Sequence, residues 1–233
     1  MKKFLVIAIC VFYGLPSGAQ EVYVGSAGVI DSLYREDQFY VGLTFHVLSD
    51  LPAEVTQKGF SGGFHTGVIR DFPINKRRNV AIGAGLGWSI NTYGQELFIG
   101  EDSNGNTIFR DLNALDVEYD TNRFSTQLLE VPLEFRWRTS TPESHRFWRV
   151  YSGLKFGYAY HVRSNFKEEG NQVIQTDIPE FDRLRLGAIF TFGYNTFNFH
   201  VYYNLNPIFK DAFLNDEEIG IHTFKIGLMF YIL

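Results

Sequence analysis

The stretch Trp148-Arg149-Val150-Tyr151-Ser152-Gly153-Leu154-Lys155-Phe156-Gly157-Tyr158-Ala159-Tyr160-His161-Val162-Arg163-Ser164-Asn165-Phe166-Lys167 alternates with a period of two. Val150, Leu154, Phe156, Tyr158, Tyr160, Val162 and Phe166 fall on one parity, and Arg149, Tyr151, Lys155, His161, Arg163 and Lys167 on the other. An amphipathic helix would place apolar residues three and four apart, whereas successive side chains of a strand point to opposite faces. The segment therefore reads as one long strand with an apolar and a charged face.

Seven further ladders share that period, at 39–47, 59–72, 80–92, 124–138, 181–195, 197–206 and 221–233. The connections between them alternate in length. Those at 48–58, 99–123, 168–180 and 208–220 are long, those at 73–79 and 195–196 are short, and 139–147, with Pro142, is moderate. Eight antiparallel strands with tight turns at one rim and long loops at the other describe a transmembrane β-barrel, with both termini on the periplasmic side. A secreted soluble barrel also has eight alternating strands, but it carries its charges outside. Here the polar parity collects Glu130, Glu134, Arg136, Arg138, Arg149, Lys155, Arg163, Arg183, Arg185 and Lys225, and the opposite parity is almost uncharged, Arg70 being the exception. Packing the apolar face inward would force too many large side chains into a small lumen. The fold expected is an all-β, eight-stranded antiparallel transmembrane barrel over 37–233, with the charged set filling the interior as a structural network.

The 23 Phe, 13 Tyr and 3 Trp of the 233 residues then find a place on the lipid-facing wall. Phe72, Trp137, Trp148, Tyr194 and Phe197 lie beside the short turns, as an interfacial girdle requires. Trp88 and Tyr160 fall toward the long-loop rim.

Residues 1–19 read as a secretory signal peptide: Lys2 and Lys3, an apolar run from Phe4 to Leu15, and Ser17-Gly18-Ala19 before Gln20. The run is too short to anchor the chain as a membrane helix, and Ile9 before Cys10 does not suit a lipoprotein signal. Residues 20–36 are a periplasmic lead-in. Cleavage removes the one cysteine and excludes disulfide and thiol chemistry. It also takes two of 21 basic residues, leaving 19 against 26 acidic ones, a net charge of −7 that argues against nucleic acid as a partner.

The segment Leu129-Glu130-Val131-Pro132-Leu133-Glu134-Phe135, with Gly-rich early strands and the closing Gly-Leu-Met-Phe-Tyr-Ile-Leu, resembles the small outer-membrane barrels of Bacteroidetes, described as outer membrane protein beta-barrel domain, PorT-like or porin family proteins. The resemblance implies a bacterial outer-membrane location and leaves two specialised roles open, an accessory of type IX secretion or surface assembly and a narrow porin-like barrel. The chain departs from the family's assembly signal by ending in Leu233, with Tyr231 and Phe230 nearby, and no wall-anchoring domain is expected after the barrel. The function expected is structural or interactive, through outer-membrane lipids and through protein partners at the long loops or periplasmic rim, without enzyme activity, cofactor or metal.

Gly83, Gly85 and Gly87 share one parity, and Gly63 and Gly67 the same parity of the strand before, making room for long Arg and Tyr side chains. Asp102-Ser103-Asn104-Gly105-Asn106 lacks the Gly and Glu of a calcium loop and is expected to be a hairpin turn on Asn104-Gly105. None of the six histidines, His46, His65, His145, His161, His200 and His222, stands in a triad-like spacing. Lys76, Arg77 and Arg78 place a basic cluster in the first short turn, within reach of phospholipid headgroups.

Overall fold

In the computed structural model the described residues are 37–53, 55–115, 117–139 and 147–232, so the expected signal peptide and lead-in lie outside them. Their strands run in the order β1 (Gln38–Ser49), β2 (Gly62–Pro73), β3 (Val80–Gly94), β4 (Leu97–Glu101), β5 (Thr107–Asp111), β6 (Thr121–Arg138), β7 (Trp148–Glu168), β8 (Asn171–Gln175), β9 (Leu184–Tyr194), β10 (Phe197–Asn204), β11 (Phe213–Leu214), β12 (Glu217–Glu218) and β13 (His222–Ile232).

Eight of these close a barrel in the order β1-β2-β3-β6-β7-β9-β10-β13, with β13 pairing back onto β1. Every pairing is antiparallel. Each barrel strand coincides with one expected ladder, because a two-residue period separates the faces in the sequence itself. The short strands lie in the long connections: β4 pairs β5, β8 folds back on the projecting end of β7, and β11 pairs β12. The β4–β5 hairpin closes at the expected turn, where Gly105 takes a φ of +84° and Asp102 Oδ1 accepts the Asn104 and Asn106 amides at 2.8 and 2.9 Å.

Two irregularities modify the ladders. Pro132 occupies the middle of β6, and the β3–β6 register is kept while Gly85 and Leu86, which face Pro132 and Val131, drop out of the pairing. Proline has no N–H to give that ladder. On β7, Gln127 pairs with His161 but Leu128 with Ala159, so Tyr160 is an extra residue and a bulge. Tyr160 and His161 both point outward, and beyond them the parity reverses. This corrects the reading of one uninterrupted alternation: Val162 and Phe166 are buried inside the barrel, while Arg163 is exposed on its outer wall.

The outer wall between the rims is apolar, with Phe39, Leu43, Leu86, Leu129, Phe156, Phe190, Phe197 and Leu228 among its exposed side chains. The interior is the inverse, and Arg136 and Arg138 have no exposed surface at all.

Candidate functional site

The lumen next to the short turns is organised around Asp71, on the inward parity of β2. Its two carboxylate oxygens take ion pairs from Arg136 and from Arg138, both on β6. Arg136 also donates to Gln38 Oε1, stands 3.4 Å from Glu134 Oε2, and lays its guanidinium 4.0 Å from the Tyr151 ring centroid. Arg138 donates to the Arg78 carbonyl at 3.1 Å, tying the barrel floor to the first short turn. Buried charges are tolerated when paired and hydrogen-bonded, and the Asp71 carboxylate is paired with both arginines. Asp71 stands outside the charged set expected from the sequence, although the inward parity of β2, through His65 and Ile69, points to it.

One layer further in, Glu130 holds Lys155 across the β6–β7 seam at 3.2 Å. Its other oxygen accepts from Ser89 Oγ at 2.9 Å, Ser89 accepts from Asn91 at 3.1 Å, and Asn91 accepts from Lys225 Nζ at 2.7 Å. The chain of contacts thus links β7, β6, β3 and β13 through the lumen. Glycines make space for it: a Cβ on Gly83 would meet the Arg136 side chain, and one on Gly87 would meet the Tyr40 hydroxyl.

Thr44 Oγ1 lies 2.8 Å from His65 Nε2 and 2.9 Å from His46 Nε2, and His65 Nδ1 lies 3.9 Å from Glu130 Oε2. Hydroxyl, imidazole and carboxylate therefore come together where no sequence spacing announced it. The last distance exceeds a hydrogen bond, and all these groups are enclosed. A catalytic triad needs a reacting atom beside the nucleophile, and this packing has no such opening.

At the other rim the lumen changes character. Phe124, Leu128, Ala159, Val162 and Tyr93 from the strands pack with Leu97, Ile99, Ile178, Phe181, Ile208, Phe209, Ala212, Leu214 and Ile219 from the long connections. The loops fold over the mouth as an apolar lid. Asn122 fastens β4 by donating to the Gln95 and Leu97 carbonyls at 2.7 and 2.9 Å. Arg185, placed by the sequence in the charge network, is buried but gives its guanidinium to the carbonyls of Pro207 and Ile208, at 2.7 and 2.8 Å, and of Asp182. Its work is to hold the last loop across the mouth.

Two carboxylates of this lid are held below their ordinary range. Burial alone would raise Asp182, but Lys210 at 2.9 Å, the Leu184 amide and Asn206 outweigh it. Glu96 is lowered by a hydrogen bond from Thr56 and then by Lys58 at 3.1 Å.

Of the ten charged positions expected in the lumen, Glu130, Glu134, Arg136, Arg138, Arg149, Lys155 and Lys225 are buried in it and Arg185 is buried at its mouth. Arg149 lies 4.2 Å from the Phe147 ring centroid. Arg163 is corrected to the outer wall by the bulge. Arg183 precedes β9, is half-buried, and donates to the Ala159 carbonyl at 3.3 Å, so it belongs to the rim and not to the network. The aromatic positions Phe72, Trp137, Trp148, Tyr194 and Phe197 are exposed on the outer wall near the short turns, with Trp148 stacked on Phe192 at 5.3 Å. Toward the other rim Trp88 Nε1 donates to Tyr160 Oη at 2.7 Å, which donates in turn to Gln127 Oε1 at 2.7 Å.

The family model described as "Outer membrane protein beta-barrel domain" matches residues 19–210. No curated protein matches the sequence. Among solved structures, Ail, the attachment invasion locus protein of Yersinia pestis, in complex with the heparin analogue sucrose octasulfate, is similar at 14% identity and a TM-score of 0.36, over 85% of this chain and 99% of that one. A second crystal structure of Ail is similar at 12% identity and a TM-score of 0.33, over 84% of this chain and 97% of that one.

Proposed function

The chain belongs to the outer membrane protein beta-barrel domain family and is a bacterial outer-membrane protein; from that premise we propose that it is a closed, non-enzymatic barrel with a structural or interaction role. The observation that carries this is the two-part filling of the lumen. The Asp71–Arg136–Arg138 and Glu130–Lys155 pairs occupy the short-turn half, and the apolar lid occupies the other mouth. An eight-stranded barrel has an interior about wide enough for its own side chains, while open aqueous pores use about sixteen strands. A narrow transport path would have to break those ion pairs and lift the lid.

The short turns and both termini face the periplasm in this reading, and the long loops face outward, following the usual asymmetry of such barrels. The outward loops then carry the contacts to partners. Phe60, Leu115, Ile174 and Phe213 stand exposed on them, and a groove among the loops is lined by Glu96, Glu118, Asp120, Glu168 and Glu169 together with Lys58. Single-channel recording in planar bilayers tests the closed barrel. The expected result is no resolved conductance for the wild-type chain; steady open-channel currents would overturn it.

A further inference from the structure

Arg70 is a cation on the wrong face. It lies on the outward parity of β2, exposed, between Val68 and Phe72, directly opposite Ala84 on β3. Among the described residues no hydrogen bond, ion pair or ring contact engages its guanidinium. A lipid-facing arginine is costly unless it lies near an interface and finds a counter-charge. Arg70 meets the first condition, since it is two residues from Phe72 in the aromatic girdle and level with the point where the chain enters β1, whose first pairing is Gln38 with Ile69.

The surface around it supplies a place for the second. Phe39, Val68, Phe72 and Leu86 stand out from the wall, and Ala84 and Gly85 leave a depression between them, an open groove of about 470 Å³ that is apolar except at the Arg70 end. Asp37 also borders that end, where its Oδ1 accepts the Asp71 amide at 3.1 Å. The groove thus joins an acyl-sized apolar floor to a guanidinium able to make two parallel hydrogen bonds to a phosphate.

We propose that this groove is a binding site for one glycerophospholipid, with its phosphate on Arg70 and an acyl chain against Ala84, Gly85 and Leu86. The site requires the chain to be a membrane barrel, and its assignment to the inner leaflet rests on the periplasmic placement of the short turns. Lys76 and Arg77, exposed in the turn below, add attraction for the same headgroup layer.

Native mass spectrometry of the full chain in detergent, titrated with phosphatidylethanolamine or with phosphate-free diacylglycerol, tests the site independently of leaflet. One phospholipid per barrel is expected, with diacylglycerol failing to replace it. Arg70→Ala should weaken retention about tenfold and Arg70→Lys less, because an ammonium keeps the charge but loses the paired geometry. Ala84→Phe, which fills the floor and leaves the charge, should also displace the lipid. Heat-modifiable migration of each variant reports separately that the barrel is folded, and its absence in the wild type would count against the barrel and not the groove. Equal retention by wild type, Arg70→Ala and Ala84→Phe overturns the proposal, as does a wild-type groove that takes no phospholipid.

Discussion

Lys155 Nζ stands 3.2 Å from Glu130 Oε2, each side chain buried and each on a neighbouring strand of the barrel wall. Glu130 thereby ties a strand-to-strand seam to the hydrogen-bonded chain that reaches Lys225. Removing it leaves the buried Lys155 ammonium without this carboxylate, and breaking such a buried pair costs about 3–5 kcal/mol. Glu130→Ala is expected to lower the temperature of the heat-modifiable gel shift without opening a channel. A large rise in single-channel conductance would show that the side chain was a gate and not a structural support.

Asp71 serves two arginines at once, so its loss takes one buried carboxylate partner from each of them. Asp71→Asn should destabilise the barrel by about 3–5 kcal/mol in urea unfolding from lipid vesicles. Adding Arg138→Met to that variant should recover part of the loss, because one of the two buried guanidinium groups that lost this carboxylate goes with it. Strict additivity of the two changes would mean that the groups do not interact.

Gly87 and Tyr40 share a space that holds no further methyl group. Gly87→Ala is expected to cost about 1–3 kcal/mol through overpacking. Tyr40→Phe in the same chain should restore most of it, since the hydroxyl is the atom the new Cβ meets first. Unfolding curves of the single and double variants check the pairing.

The lid should respond to acid. Asp182 has a folded pKa below its ordinary value, so its contribution to stability is present above the unfolded pKa, about 3.9, and is lost as pH falls through the lower folded value. The contact with Lys210 is partly solvent-screened, since the lysine is 59% exposed. Hydrogen exchange in the loop 205–221, expressed relative to the intrinsic amide rate at each pH, is expected to stay constant from pH 8 to about 5 and to rise below about 4. Asp182→Asn should abolish that rise, and a transition near pH 6 would point to a histidine instead.

Much of this architecture was legible in local pattern. A period of two needs only neighbouring residues to be seen, which is why the eight barrel strands and the outward placement of Trp148, Tyr194 and Phe197 can be read from the chain. The lid was not legible, because Ile178, Phe209 and Ile219 sit in connections with no periodicity and acquire a common neighbourhood only when the barrel closes. Arg163 was misread for a narrower reason. One extra residue at Tyr160 reverses every side chain after it, and a bulge leaves no mark in composition.

The sequence by itself determined the strand number, the lipid-facing parity and the charged interior, since the alternation of side chains along an extended backbone is a local property. Only the tertiary structure decided which charges meet. Asp71 finds Arg136 and Arg138 across sequence separations of 65 and 67 residues. Such a match depends on barrel register and on the glycines that admit the long side chains, and it exists only after β3 has paired with both β2 and β6.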